Sequence, residues 1–150
     1  MGPLRGGFRA AMLGVSANSK ETTTVDKQAF DRGMKIRRDV LGDAHVDRSM
    51  AMADDSNRPL QDLITQYCWG EIWSRPGLDR KTRSTINLAM LAALNRPHEL
   101  KLHIQGALRN GLSQAEIGEV FLQVAFYAGG PAALDAMRLA REVFKEQGIG

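Results

Sequence analysis

Glu99 and His103 stand four residues apart in the segment ELKLH, which makes them neighbours on one face of a helix. A carboxylate against an imidazole raises its pKa, fixes its tautomer and makes it a tuned acid or base. On an exposed face the same pair is only a surface ion pair worth at most ~0.5 kcal/mol, and periodicity does not separate the two readings. A second concentration of chemistry lies upstream in WGEIWSRPGLDRKTR, which holds Trp69, Glu71, Trp73, Arg75, Arg80 and Arg83. Arginine forks donate paired bonds to carboxylates. Tryptophans supply rigid apolar walls. Each of these residues is equally compatible with a place in the core or at a subunit contact.

Other chemistry-bearing groups are sparse. His98, Glu99 and His103 form a thin trio for a metal, because His98 projects about 100° away from Glu99 around a helix. The sequence has no HExxH and no second ligand cluster, so no metal is expected. Cys68 has no CxxC partner and sits in an apolar helical stretch, where a buried, inert thiol is expected. His45 reads as structural, or as the rim of a pocket. There is no glycine-rich phosphate loop and no GxSxG elbow.

The chain has 150 residues, room for one domain. Its net charge of +3 is partly a tail effect, since residues 1–25 carry +2 of it. No basic stripe with interleaved aromatics appears, which argues against nucleic-acid binding. A locally basic pocket for an acidic substrate stays open. One cysteine excludes an internal disulfide and fits a reducing compartment. No apolar run approaches the ~18 residues of a membrane span. The glycines at 2, 6, 7 and 14 break the apolar run that a secretory signal needs.

The elements that must position these residues are helical throughout. Residues 1–25 are rich in Gly, Ser, Thr and Asn, without a period, and read as a disordered arm ahead of a domain over 26–150. Asp26 suits the N-cap of a first helix carrying Phe30, Met34 and Arg37 at helical spacing. Leu41-Gly42-Asp43 reads as a stop and a new start, and a short helix is expected over 45–53. Leu60, Leu63, Ile64 and Tyr67 mark a third helix to about Trp73. Asp79 caps a fourth, which places Arg80, Lys81 and Arg83 against the sign of the helix dipole and so calls for anionic partners. That helix is expected to bury Ile86, Leu88, Ala89, Leu91, Ala92 and Leu94. The next is expected to have Asn95 as N-cap, Pro97 in its first turn and Gly111 as a left-handed stop. Ser113 with Glu116 forms a capping box for the sixth, and Ala132 to about Gln147 forms the last. The fold class is all-α, with six to seven helices.

The segments LGDAHVDRS (41–49), WGEIWSRPGLDRKTRS (69–84), ELKLH (99–103), NG (110–111) and YAGGPAA (127–133) together resemble the carboxymuconolactone decarboxylase branch of the alkylhydroperoxidase D-like superfamily. The resemblance runs from about Asp31 to Gly148. It implies a compact all-helical domain of the alkylhydroperoxidase D-like type in a ring-shaped homo-oligomer, a hexamer or trimer. It also implies the bacterial cytoplasm, no cofactor, and conversion of 4-carboxymuconolactone to 3-oxoadipate enol-lactone in protocatechuate catabolism. The family's histidine falls on His103 and its acid on Glu99. The acidic position of its WG[DE]IW block falls on Glu71. The peroxidase branch carries a CxxC where this chain has Lys101 near His103, so peroxidase or disulfide-reductase activity is the weaker alternative.

The implied substrate is a lactone dicarboxylate. Loss of CO2 pushes electrons into its own lactone carbonyl, so no cofactor is called for. Arg75 and Arg83, ahead of Arg80, are expected to hold the carboxylates. His103 oriented by Glu99 is expected to reprotonate a ring carbon, with Glu71 as the alternative. Trp69 and Trp73 wall the site, and Tyr127 offers a hydroxyl donor or simply a core ring. A non-catalytic helical oligomer that binds a small acid is the remaining reading.

Overall fold

The computed structural model describes residues 25–149, so the arm expected over 1–25 lies outside the described residues but for Val25. Among them are seven α-helices and one π-helical segment: α1 Lys27–Leu41, α2 Asp43–Ala51, α3 Arg58–Leu63, the π segment Ile64–Ile72, α4 Arg80–Ala93, α5 Pro97–Arg109, α6 Gln114–Tyr127 and α7 Gly130–Glu146. The all-α class read from the sequence holds.

Local chemistry sets most of the boundaries. Asp26 accepts from the amides of Gln28 and Ala29, and Asp79 from that of Thr82. Ser113 and Glu116 close their capping box in both directions. Gly111, at φ +91°, ends α5, with the Leu112 amide reaching back to the Ala107 carbonyl. Asn95 does not cap α5. At φ +52° it ends α4 instead, while the Arg96 amide donates to the Leu91 carbonyl in the same back-reaching pattern. Asn tolerates both jobs, and the left-handed stop came first in the chain.

Four helices, α4 to α7, enclose an apolar, mostly aliphatic core of Leu88, Ile104, Ile117, Phe121, Ala136 and Val143 with their neighbours. Ile86 and Leu94, expected inside, are 41% and 66% exposed. They lie off the α4 stripe that Ser84, Leu88 and Ala92 bury.

The other half is built from α1, α2, the π segment and one side of α5. It buries Ile36, Val40, Leu41, Val46, Trp69 and Trp73. The third helix read from the sequence is therefore α3 running into a π segment. Its hydrogen bonds span five residues, as from the Trp73 amide to the Cys68 carbonyl at 2.9 Å. The wider turn moves the buried residues to Thr65, Gln66, Trp69, Gly70 and Trp73. Leu60 and Tyr67, predicted as core by α-helical spacing, are more than half exposed. Close approach of α1 drives this packing. A Cβ on Gly70 would sit 2.1 Å from the Ala29 carbonyl oxygen, and one on Gly33 would sit 2.0 Å from that of Thr65. The glycine in the WGEIW block is thus a crossing point between helices.

Candidate active site

The π segment projects Trp69 and Trp73, four residues apart, to the same side. Their rings stack with centroids 4.9 Å apart and planes 28° apart. Helix α5 brings His103 against them. Its ring lies within 3° of the Trp69 plane at 6.2 Å and 6.4 Å from Trp73, an offset arrangement of three flat rings. His103 Nδ1 is buried with no hydrogen-bond partner among the described residues. Burial pushes its pKa down to about 4, Glu99 opposes the shift and His45 adds to it. The imidazole is therefore neutral at neutral pH, with one unsatisfied ring nitrogen. A neutral imidazole beside an apolar wall can donate to a developing oxyanion, or accept a proton once an anion binds nearby.

Glu99 acts on His103 through its charge and not through a hydrogen bond. It is exposed in the first turn of α5, and none of its bonds reaches His103. The expected orienting contact is absent because the two side chains differ in depth. Glu71 points to α1, where it pairs with Arg32 at 3.2 Å, and both side chains are about half exposed. Arg75 is exposed in the turn after the π segment, and its carbonyl accepts from Arg83 Nη2 at 3.1 Å. Arg83 is half-buried, and its Nε has no partner. Arg80 pairs with Asp39 at 3.1 Å and Lys81 with Glu116 at 2.7 Å. Two of the three cations set against the α4 dipole thus have acids from other helices, and the third bonds a carbonyl. Lys101 is taken by Glu146 at 2.7 Å. Tyr127 is 85% exposed at the end of α6 and is not part of the stacked cluster.

Cys68 corrects the sequence reading. It is exposed, because the π register turns it outward beside Tyr67. The protein packed around its thiol still raises the pKa, with Arg37 opposing. Its surroundings thus favour the neutral thiol, though the residue is exposed rather than buried as expected.

Sequence reasoning passed over Arg37 as a chemical group. It is 4% exposed. Its Nη1 meets Thr65 Oγ1 at 3.0 Å and Met50 Sδ at 3.9 Å, its Nη2 meets Gln61 Oε1 at 2.8 Å, and its Nε is unpartnered. The signal was present, because a cation shares the helical spacing of Phe30 and Met34 on an otherwise apolar stripe. A cleft of about 100 Å³ lies between α4, α5 and α7.

The fold is an all-helical domain in which one histidine stacks against two tryptophans. The model of the Carboxymuconolactone decarboxylase family matches residues 58–142, and the chain belongs to that family. It is similar to the 4-carboxymuconolactone decarboxylase of Acinetobacter baylyi, 44% identical over 83% of this chain and 92% of that protein. It is also similar to the nitrosuccinic acid decarboxylase npaB of Metarhizium robertsii, 40% identical over 80% of this chain and 84% of that one. A 4-carboxymuconolactone decarboxylase of Pseudomonas putida is 48% identical over 31% of this chain and 96% of its own length.

Proposed function

We propose that this protein decarboxylates 4-carboxymuconolactone to 3-oxoadipate enol-lactone, a step in protocatechuate catabolism, in the bacterial cytoplasm. The carrying observation is an imidazole with a buried Nδ1, stacked against two tryptophans, in a chain this similar to a decarboxylase of that lactone. The bond from the ring carbon to its carboxylate breaks, and its electron pair moves through the ring double bond into the lactone carbonyl. The resulting dienolate takes a proton at the carbon next to that carbonyl. One dianion and one proton give one monoanion and CO2. Nitrosuccinic acid, named for the second relative, also combines two carboxylates with an electron sink. The substrate supplies that sink in both cases.

In this reading His103 is the proton donor. It is neutral in the free protein. A bound dianion restores the charge that burial removed, so the imidazole takes up a proton and hands it to the ring carbon. Glu99 favours that charged form from a distance. Arg83 and Arg75 hold substrate carboxylates, and Trp69 and Trp73 keep water out. Glu71, with Arg32 as its partner, and the exposed Tyr127 carry less of the argument. The test is CO2 release from the lactone made in situ from protocatechuate by the preceding enzymes. Stoichiometric release at enzyme-limited rate is expected, and no release from folded protein overturns the reading.

The protein also assembles with itself, as a hexamer or trimer. Leu122, Phe126, Tyr127 and Leu134 are 53% to 90% exposed near the end of α6 and the start of α7, too much apolar surface for a lone protomer to leave wet. Sedimentation should show the oligomer, and Phe126→Asp should dissociate it.

A further inference from the structure

Arg37 is a charge without a counter-charge. Among the described residues no carboxylate pairs with it. Its acceptors are a hydroxyl, an amide oxygen and a thioether, all neutral. The nearby Cys68 thiol is held in its neutral form by its surroundings and supplies no charge. Burying an arginine without a counter-ion is costly, and proteins seldom leave such a charge unpaired.

The donor count shows what is missing. A guanidinium has five N–H groups. Two on Nη1 face Thr65 and Met50, and one on Nη2 faces Gln61. Nε–H is left without a partner, and together with the adjacent Nη2 it forms a side-on edge that can take a carboxylate with two parallel bonds. The position also fits. Met50 packs against the cluster that holds Trp69 and Trp73. Arg37 acts electrostatically on His45, and His45 on His103. Met50 and Gln61 are only half-buried, so the guanidinium lies one side chain below the surface between α1, α2 and α3.

We propose that Arg37 is the inner carboxylate anchor of the site, gripping through its Nε–Nη2 edge the carboxylate that the substrate keeps, while the other carboxylate is lost beside His103. The identity of that anion rests on the decarboxylase reading. The grip itself predicts an Arg37-dependent site for any small dicarboxylate.

The experiment uses the full chain, with succinate as an unreactive probe measured by calorimetry and the lactone measured by turnover. In Arg37→Met, kcat/KM should fall at least a hundred-fold and succinate affinity at least ten-fold. The ligand-free melting temperature should hold or rise, because an uncompensated buried charge has been replaced by an apolar chain of similar length. A purely structural arginine gives the reverse: a lower melting temperature with succinate affinity and kcat/KM intact in the folded fraction. Should the Met variant not fold, Arg37→Lys keeps the charge and loses the fork. A KM raised ten-fold or more with kcat largely kept then supports the anchor, and a wild-type KM overturns it. If the wild type binds succinate through Arg37 but does not release CO2 from the lactone, the anchor stands and the reaction is wrong. If turnover is normal and every Arg37 variant matches the wild type, the reaction stands and the anchor falls.

Discussion

The two halves of the molecule obey different rules. The α4–α7 half is built mainly around apolar packing. Its core is apolar, α4 and α6 carry side-chain caps, and its buried Ser84 hydroxyl accepts from Asn110 Nδ2 at 2.9 Å. The half built by α1, α2 and the π segment breaks three local rules at once. It replaces an α-helix by a π-helix and, among the described residues, buries an arginine with no acid and leaves a histidine nitrogen without a partner. Proteins concentrate such violations where they bind or react, and offset them elsewhere. Helix α5 belongs to both halves. Leu100, Ile104 and Ala107 face the aliphatic core, while Leu102 and His103 face the aromatic one.

That division is open to attack at two adjacent residues. His103→Ala should cut kcat roughly 10²–10⁴-fold with the melting temperature nearly unchanged. Ile104→Ala, one position on, should cost about 2–5 kcal/mol of stability and leave kcat intact in the folded fraction. Kinetics and thermal melts on both variants check this. If Ile104→Ala also abolishes turnover without unfolding, the halves are not separate.

Acid should weaken the aromatic half first. His103 titrates near pH 4 when folded, below its ordinary 6.5. Between those values the unfolded chain binds the extra proton more readily, so stability falls as pH drops from about 6.5 to 4 and is flat beyond either limit with respect to this group. The full effect is of order 3 kcal/mol. Denaturant melts across that range should show it, and His103→Phe should flatten the slope. Glu99→Gln should lower the His103 pKa further and move the acid limb to lower pH.

A smaller kinetic effect sharpens the contrast between cations. Arg83→Lys should raise KM or lower kcat/KM about ten-fold, some ~1.4 kcal/mol. Arg80→Lys, at an exposed pair with Asp39, should change neither. Equal effects at both sites would show that the α4 cations act only through the fold. The smallest change is expected at Cys68. Cys68→Ser should preserve turnover and alter stability by less than ~0.5 kcal/mol, because the residue is exposed. A thiol-dependent loss of activity would return the peroxidase alternative.

The sequence alone carried the helix count, the caps at Asp26, Asp79 and Ser113, the stop at Gly111 and the aliphatic stripes of α5 and α6. These follow from contacts within a few residues, which one stretch of chain contains. It also carried the family resemblance, and residue type and spacing singled out Glu99, His103, Trp69 and Trp73 as candidates. It did not carry the π register, the outward turn of Cys68 and Tyr67, or the left-handed role of Asn95. The first two depend on α1 pressing Gly33 and Ala29 against Gly70, a contact between segments almost forty residues apart. Nor could it separate Arg83, bonded to a carbonyl, from Arg37, buried without an acid, since both read as cations on helices. Tertiary structure decided that difference, because whether a charge finds a partner depends on which helices meet around it.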